Sequence, residues 1–397
     1  MKPFELNNHQ RQFLGLEPVK NSWERVDFPK GFSLYFEGNK IKKVIYNLSP
    51  NKYKEYDHDI PTKKRLKIIP LRKGIEKPIT FMRVDRYSPA KRKAQFSVEI
   101  NRNEPNIAPV HLGWVIGEKA LNLKKYASTW KDLKSLHELP NRLEELIEEL
   151  PPNHQQKIQD LKNRERKCTI KKYKCGDFFS VPFDFDLYGK PRRYFFGRHL
   201  MNIKQFRTTF NLPERHSWNQ LMTVVQLVTL YNYESNSTKQ DLQKLKLQPA
   251  MNSFYVMDEP FFHGEYPIIG HLDLEPQELD FPMHYQCESW DLDSFSFSWG
   301  DIFIANLPPS PLAVEIIKKF SNPNVAAFNF SGVKYGIDPT SKWFSFSPST
   351  YDLKNPRNSK IRAEIFAQIG VPSDIDYDQF AKKFGFRTRQ ELLSLIC

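Results

Sequence analysis

Cysteine and histidine side chains are the first residues of this sequence that could do chemistry, because their types can bind zinc. Cys168, Cys175, His284 and Cys287 together supply four ligands of the kinds that zinc prefers. Six residues separate the first two cysteines, whereas structural zinc sites normally have about two to four between such a pair. Four cysteines in 397 residues are also far too few for a disulfide scaffold. We therefore expect free thiols, and we predict neither a metal site nor a cofactor.

Histidines beside carboxylates form a second group with chemical potential. The stretches YDHDIP (56–61) and GHLDLEPQE (270–278) place a histidine next to aspartate or glutamate, as general acid–base catalysis or a metal site would need. Each stretch lacks a second cluster at a recognisable spacing. The sequence also contains no glycine-rich phosphate loop, no nucleophile elbow and no zincin helix motif. We therefore predict no catalytic residue and a protein that is not an enzyme.

An aromatic and basic stretch, CGDFFSVPFDFDLYGKPRRYFFGRHL (175–200), could bind single-stranded nucleic acid if its rings lay exposed beside Arg192 and Arg193. Its periodicity favours a buried hairpin instead. Alternate positions in two runs place these residues on the same sides of two strands: Phe179, Val181, Phe183 and Phe185, then Tyr194, Phe196, Arg198 and Leu200. The segment 186–191 has turn residues, and Gly197 indicates a bulge or a close backbone approach. We predict a β-hairpin with one apolar face in the core.

The N-terminal third of the chain is predicted to contain a series of short strands. The segments carry alternating, β-branched or aromatic residues, and turn formers such as Gly38, Asn39 and Gly74 separate them. The predicted strands are FSLYFEG, KKVIYNL, RLKIIPL, ITFMRVDRY, QFSVEI and HLGWVIG, between residues 32 and 117. The first part of the chain is therefore predicted to be rich in β-structure.

Helices are predicted in the middle and at the end of the chain. Between residues 130 and 167 an apolar stripe predicts a helix that the prolines at 151 and 152 end; the stripe consists of Leu143, Leu146, Ile147 and Leu150. Ser310 can cap a helix that begins at residue 311. Further helices are predicted over 359–369 and 377–384, and Thr388 with Glu391 has the spacing of a capping box.

These elements predict an α+β fold, made of β-rich antiparallel sheets or small barrels, a helical connector and a small helical C-terminal unit. At 397 residues the chain is long enough for more than one domain. We predict four parts: a basic β-rich domain over 1–135, the connector over 136–170, an α+β domain over 171–300 and a C-terminal unit over 301–397.

Charge is distributed unevenly along the sequence, with a net formal charge of +13. The stretches 62–77 and 83–93 are strongly basic, whereas residues 251–310 contain eleven acidic residues and neither lysine nor arginine. Such polarity suits a protein partner with complementary patches at least as well as a polyanion. The start MKPFELNNHQ lacks a signal-peptide core, and no uncharged apolar run approaches the roughly 18 residues that span a bilayer. We expect a soluble cytoplasmic protein without membrane contact.

Three stretches carry a resemblance to a known family: CGDFFSVPF, YFFGRHL and FYVMDEPFFHGEYPIIGHLDLEPQELDFPMHY. Between residues 174 and 285 the sequence resembles the immunity protein 26 family of bacterial toxin systems. The long polar insertion after residue 231 departs from a compact member of that family. The motif positions that this chain shares are Gly176, Asp177, Pro182, Tyr194, Gly197, Arg198, Tyr266, Ile269, Gly270, Leu272 and Pro282.

The resemblance implies a cytoplasmic protein of bacterial defence that binds a cognate toxin and blocks it without catalysis. A toxin that handles nucleic acid would present a basic cleft, so we predict that the acidic stretch 258–301 is the contact face. The predicted partner-binding residues are Asp258, Glu259, Asp273, Glu275, Glu278 and Asp280.

The alternative is a nucleic-acid-binding or nuclease-like protein whose basic N-terminal strands contact phosphates. Its binding would weaken steeply with salt, because each phosphate contact releases counterions. The residues predicted for that contact are Lys63, Lys64, Arg65, Arg72 and Lys73.

Overall fold

The computed structural model shows an α+β protein built from antiparallel sheets and helices, which confirms the predicted fold class. The structure describes residues 4–29, 31–64, 66–70, 74–85, 94–101, 108–117, 119–163, 172–221, 224–287, 293–317, 327–328, 337 and 353–396. Within those ranges, no helix combines the length and the apolar character that crossing a membrane requires.

The chain divides into two compact units. The first comprises Met1–Lys167 and Phe185–Lys190, and the second comprises Cys168–Asp184 and Pro191–Cys397. The described helices of the predicted connector lie within the first unit, and the C-terminal helices lie within the second. The finer division into four parts stays a prediction.

The first unit is organised around a seven-stranded antiparallel sheet with the strand order β1-β2-β3-β4-β7-β8-β9. A two-stranded sheet pairs β5 with β6. Its elements are α1 (Asn8–Phe13), β1 (Glu24–Phe28), β2 (Phe32–Glu37), β3 (Lys40–Ser49), β4 (Lys52–Pro61), β5 (Ile68–Pro70), β6 (Glu76–Pro78), α2 (Phe81–Asp85), β7 (Ala94–Ile100), β8 (Val110–Ile116), β9 (Lys119–Ala120), α3 (Lys124–Thr129), α4 (Leu139–Glu149) and α5 (His154–Asn163).

The central strand of this sheet, β4, has many charged residues, which are unusual in a buried strand. β4 has the sequence KYKEYDHDIP and pairs with β3 on one side and with β7 on the other. Glu55, Asp57 and His58 are buried in it, although such residues usually face solvent. The stretch was predicted only as a place where a histidine meets carboxylates, and its role as a central strand was missed.

The predicted strand ITFMRVDRY is wrong, because its described part forms helix α2. The carbonyl oxygen of Thr80 accepts hydrogen bonds from the backbone N–H groups of Arg83 and Val84, which closes a helical turn. Val84 is fully buried, whereas Met82 is largely exposed. The segment therefore needs to bury only one residue of this turn, and a strand pairing would gain little.

Helix α4 confirms the predicted apolar stripe of the connector. Leu143 and Leu146 are buried on it, together with Leu139. The helix ends before Pro151, and α5 follows from His154. A buried leucine stripe at helical spacing stabilises α4 against the sheet of the first unit, because it removes apolar surface from water.

The second unit contains a five-stranded sheet with the order β13-β12-β11-β10-β14 and a four-stranded sheet with the order β17-β16-β15-β18. Its elements are β10 (Asp177–Phe185), β11 (Pro191–Asn202), α6 (Ile203–Thr209), α7 (Ser217–Gln220), β12 (Val225–Ser235), α8 (Leu242–Lys246), β13 (Phe254–Met257), α9 (Glu259–Phe262), β14 (Ile268–His271), β15 (Met283–Cys287), β16 (Phe295–Trp299), β17 (Ile302–Leu307), α10 (Pro311–Ile317), β18 (Ala327–Phe328), α11 (Ser359–Ile369), α12 (Tyr377–Phe384) and α13 (Arg389–Ile396).

The predicted hairpin is confirmed as β10 and β11, which are neighbours in the five-stranded sheet. More of the hairpin is buried than predicted, because both of its faces pack against apolar clusters. Phe179 belongs to an apolar cluster on one face, whereas Phe178 and Phe196 belong to a different cluster. Gly197 confirms the predicted close approach, since a Cβ there would lie 2.4 Å from the ring of Phe179 and 2.6 Å from the carbonyl oxygen of Thr229.

The C-terminal helices pack on the four-stranded sheet. Phe366 of α11 and Phe380 of α12 join Phe297 and Trp299 of β16 in one apolar cluster. These helices have the predicted bounds. The predicted caps are also present: the Ser310 hydroxyl accepts the Ala313 N–H at 3.2 Å, and the Glu391 carboxylate accepts the Thr388 N–H at 2.7 Å.

Candidate partner-binding face

Arg198 is a charged side chain that the second unit buries almost completely, with 1% of its surface exposed. It lies on β11 and contacts the loop of residues 272–280, which we call the anchored loop. Its Nη2 atom donates to the carbonyl oxygens of Leu272 at 2.8 Å and Asp273 at 2.9 Å, and its Nη1 atom donates to the carboxylate of Glu278. A buried cation needs such partners, because leaving water unpaired is costly. Arg198 therefore holds the anchored loop against the sheet.

Gly176 and Asp177 form a second attachment at the start of β10. Gly176 has a φ of +84°, and a Cβ there would lie 2.3 Å from the carbonyl oxygen of Leu272, so the close approach requires glycine. The Asp177 carboxylate accepts the backbone N–H of Lys174 at 2.8 Å and lies 2.8 Å from Nδ1 of His271. The Gly-Asp pair thus fixes both the strand and the beginning of the anchored loop.

His271 connects this attachment to the surface. Its Nε2 atom lies 3.1 Å from the carboxylate of Asp273, whose side chain is fully exposed. A neutral imidazole has one N–H, so both of its carboxylate contacts are hydrogen bonds only when the ring is doubly protonated. Over the described residues, no group of three or more His, Cys, Asp and Glu side chains is arranged to hold a metal ion.

The remaining motif positions shape the sheet around these attachments. Gly270 of β14 is opposite Phe178, and a Cβ on Gly270 would lie 2.5 Å from the side chain of Leu242. Tyr194 and Ile269 are partly buried against the cluster that contains Phe178. Seven of the motif positions therefore lie on three neighbouring strands: Asp177 and Pro182 on β10, Tyr194, Gly197 and Arg198 on β11, and Ile269 and Gly270 on β14.

Four of the six predicted partner-binding residues lie on the anchored loop, and each contacts a basic side chain of the second unit. Lys246 lies 2.5 Å from Glu275 and 3.3 Å from Glu278, and Lys354 pairs with Asp280. Sequence reasoning missed both lysines, because they lie outside the acidic stretch and no spacing connects them to it. Asp273 and Glu275 keep the most exposed side chains of the four, at 102% and 54%.

Asp258 and Glu259, the other two predicted residues, lie together where α9 begins. Burial and the neighbouring charge of Glu259 raise the pKa of the Asp258 carboxyl. Burial also raises the pKa of Tyr173, with smaller contributions from the charges of Asp258 and Glu259. These two carboxylates therefore occupy a partly desolvated place on a different segment from the anchored loop.

The residues predicted for nucleic-acid binding belong to the first unit. Lys63 forms an ion pair with Glu76 at 2.8 Å. Lys64 has a φ of +51° in the turn before β5. Arg65, Arg72 and Lys73 lie outside the described residues, so the nucleic-acid alternative stays a prediction.

The structure describes only two of the three cysteines in the zinc hypothesis. Cys175 is buried and Cys287 is half-buried. Cys168 lies outside the described residues, as does Cys397.

Comparison with known proteins adds one finding that covers this part of the chain. No curated protein matches the sequence, and neither does any solved structure. A family model does match, over residues 174–296, which include both attachments of the anchored loop. This segment, less than a third of the 397-residue chain, matches the family described as Immunity protein 26, as the resemblance predicted.

Proposed function

We propose that residues 174–296 form an immunity module that binds a cognate toxin and neutralises it without catalysis. The observation that carries this proposal is the match of the segment to the immunity protein 26 family. Immunity proteins act by occupying their partner, so the relevant chemistry is that of a protein interface. Shape and charge complementarity would supply both affinity and specificity.

The anchored loop supports the choice of contact face within this proposal. Asp273 and Glu275 expose their carboxylates, while Arg198 and the Gly176–Asp177 pair hold the loop backbone from beneath. A loop that is already ordered loses little conformational entropy when a partner binds. We therefore assign the loop as the centre of the face.

Charge supports a basic partner surface. Lys246 and Lys354 compensate part of the negative charge of the loop, but Asp273 contacts only a histidine among its described ionic partners. A basic patch on the toxin would meet this carboxylate at the surface, where opposite charges accelerate association and exclude acidic partners. Asp258 and Glu259 would extend the same face or form a separate acidic contact.

Co-expression tests the function directly. The full chain is produced together with the product of the neighbouring toxin gene, and growth and co-purification of the two proteins are measured. Rescue of growth with a stable complex supports the proposal. Absence of both rescue and complex contradicts it.

A matched pair of charge reversals tests the contact face. Asp273→Lys is expected to weaken the complex by about tenfold or more, because a like charge then faces the basic patch. Glu214→Lys makes the same charge change at an exposed residue of the second unit outside the acidic stretch, and it should leave the affinity within about twofold of the original. Equal effects of the two variants would reject the anchored loop as the contact face while leaving the toxin-binding function intact.

A further inference from the structure

The first unit contains a line of seven ionisable side chains whose charges alternate. The line runs through a largely buried part of the unit and lies apart from the segment that matches the immunity family. In order of contact, its members are Asp57, Lys43, Glu55, Arg11, Glu5, Arg25 and Asp27.

Distances along the line are those of direct ion pairs. Lys43 lies opposite Asp57 on the neighbouring strand, and its Nζ atom is 2.6 Å from the Asp57 carboxylate and 2.9 Å from that of Glu55. Arg11 connects Glu55 at 2.8 Å to Glu5 at 2.7 Å.

The line ends at the surface. Arg25 pairs with Glu5 and lies 2.8 Å from Asp27.

Both ends of the line are carboxylates, so it contains one more anion than cations. The two ends differ in their access to water. The side chain of Asp27 is 67% exposed, whereas that of Asp57 is 2% exposed. Bulk water surrounds the charge of Asp27, whereas Asp57 meets solvent over only a small fraction of its side chain, so its charge depends on a few direct partners. The excess negative charge is therefore least compensated at Asp57.

Contacts of Asp57 agree with this assignment. Its two oxygens accept one hydrogen bond each, from the Lys43 ammonium at 2.6 Å and from the backbone N–H of Glu17 at 2.7 Å. Lys43 is shared with Glu55, which lowers its capacity to neutralise Asp57. Burial raises the pKa of the Asp57 carboxyl, and the attraction of Lys43 only partly offsets that effect.

Asp57 also forms part of the wall of an open pocket with a volume of about 1010 Å³. A pocket of this size is large enough for a small organic molecule. Its walls combine apolar side chains with amides, and Glu17 and Lys162 add one charge of each sign. The lining residues are Gln12, Phe13, Leu16, Glu17, Pro18, Asp57, Gly117, Gln155 and Lys162.

We propose that this pocket binds a small molecule through an ammonium or guanidinium group that donates hydrogen bonds to Asp57. Each carboxylate oxygen of Asp57 can accept a further hydrogen bond, and a cationic donor would restore the balance of charge at the buried end of the line. The Glu17 carboxylate and the Lys162 ammonium also line the pocket and are opposite in charge, so Asp57 leaves the lining with one more anion than cations. Phe13, Leu16 and Pro18 would contact a short alkyl chain on the ligand.

Titration of the full chain with butylammonium and butylguanidinium ions tests the proposal, with calorimetry and thermal unfolding as measurements. Tetramethylammonium serves as the control ligand, because it has the same charge and no N–H donor. At least one of the two donors should bind and raise the unfolding temperature, whereas tetramethylammonium should not. Failure of both donors to bind, or equal binding of tetramethylammonium, would overturn the proposal.

Two variants at opposite ends of the line identify the site. Asp57→Asn keeps the size of the side chain and removes its charge, and it should weaken binding by about tenfold to a hundredfold. Asp27→Asn makes the same change at the exposed end and should leave binding unchanged. Unchanged binding by a folded Asp57→Asn protein would also overturn the proposal.

A third variant decides the matter if Asp57→Asn does not fold. Gln155→Trp places a large ring in the pocket from an exposed helix position and leaves the line of charges intact. It should abolish binding without lowering the unfolding temperature of the free protein. Binding that survives this change would place the ligand elsewhere and reject the pocket as its site.

Discussion

Arg198 and Glu278 form an ion pair across eighty residues of sequence, with the arginine 1% exposed and the glutamate 17% exposed. The same guanidinium donates to two backbone carbonyl oxygens of the anchored loop. One side chain of the sheet therefore determines where the acidic residues of the candidate face lie. A change at Arg198 is therefore expected to alter both the stability of the second unit and the proposed binding of the toxin through the anchored loop.

Substitution of Arg198 tests that connection. Arg198→Met should lower the free energy of unfolding by about 3 kcal/mol, because it removes the donor to two carbonyl groups and leaves Glu278 with Lys246 as its cation. Arg193→Met on the same strand removes an exposed ion pair and should cost less than about 1 kcal/mol. Urea denaturation of both variants checks the difference, and equal losses would show that Arg198 does not anchor the loop.

Alanine at Gly176 should destabilise the protein far more than alanine at another glycine that also has a positive φ. Gly176→Ala adds a methyl group 2.3 Å from the carbonyl oxygen of Leu272 at a φ of +84°, so both strain and a steric clash should destabilise the protein, by about 2 kcal/mol or more. Gly385 has a φ of +73° and open space around it, so Gly385→Ala should cost only about 1 kcal/mol of strain. Chemical denaturation measures both, and a loss at Gly176 no greater than at Gly385 would contradict the close approach.

Acid should destabilise the second unit through His216. Burial lowers the pKa of this histidine to about 4, whereas an unfolded histidine has a pKa of about 6.5. Between those values the unfolded chain binds a proton that the folded protein does not, so the free energy of unfolding falls as the pH falls from about 6.5 to 4, by up to about 3 kcal/mol.

A pair of histidine variants isolates this effect. His216→Gln should reduce the slope of stability against pH in that window. His263→Gln, at an exposed residue of the same unit, should preserve the slope. Unfolding curves recorded at several pH values provide the measurement, and an unchanged slope for His216→Gln would assign the acid sensitivity to other groups.

Lys43 should be essential to the fold of the first unit. Lys43→Met leaves the buried carboxylates of Glu55 and Asp57 without their shared cation, so it should cost about 3 to 5 kcal/mol. Lys40→Met removes an exposed lysine of the same strand that pairs with Asp59, and it should cost less than about 1 kcal/mol. Guanidinium denaturation measures the free energy of unfolding of both variants. A small decrease for Lys43→Met would mean that Glu55 and Asp57 become hydrated or protonated when the lysine is absent.

Patterns within a few residues could be interpreted from the sequence alone. Alternation of apolar residues predicted the hairpin of β10 and β11, and cap residues predicted the start of α10 at residue 311 and the capping box of Thr388 and Glu391. The short family motifs predicted the segment that matches immunity protein 26. Each of these signals depends on residues that are close in the sequence, because strand periodicity, helix stripes and caps involve residues only a few positions apart.

Only the tertiary structure decided which charged residues are buried. Strand β4 escaped prediction because its lysines, carboxylates and histidine suggest an exposed segment, yet Lys43 and Arg11 neutralise its buried acids from other elements. The acidic stretch likewise acquires its cations from Arg198, Lys246 and Lys354. A charge can leave water only when an opposite charge meets it, and the partners that make this possible are distant in the sequence.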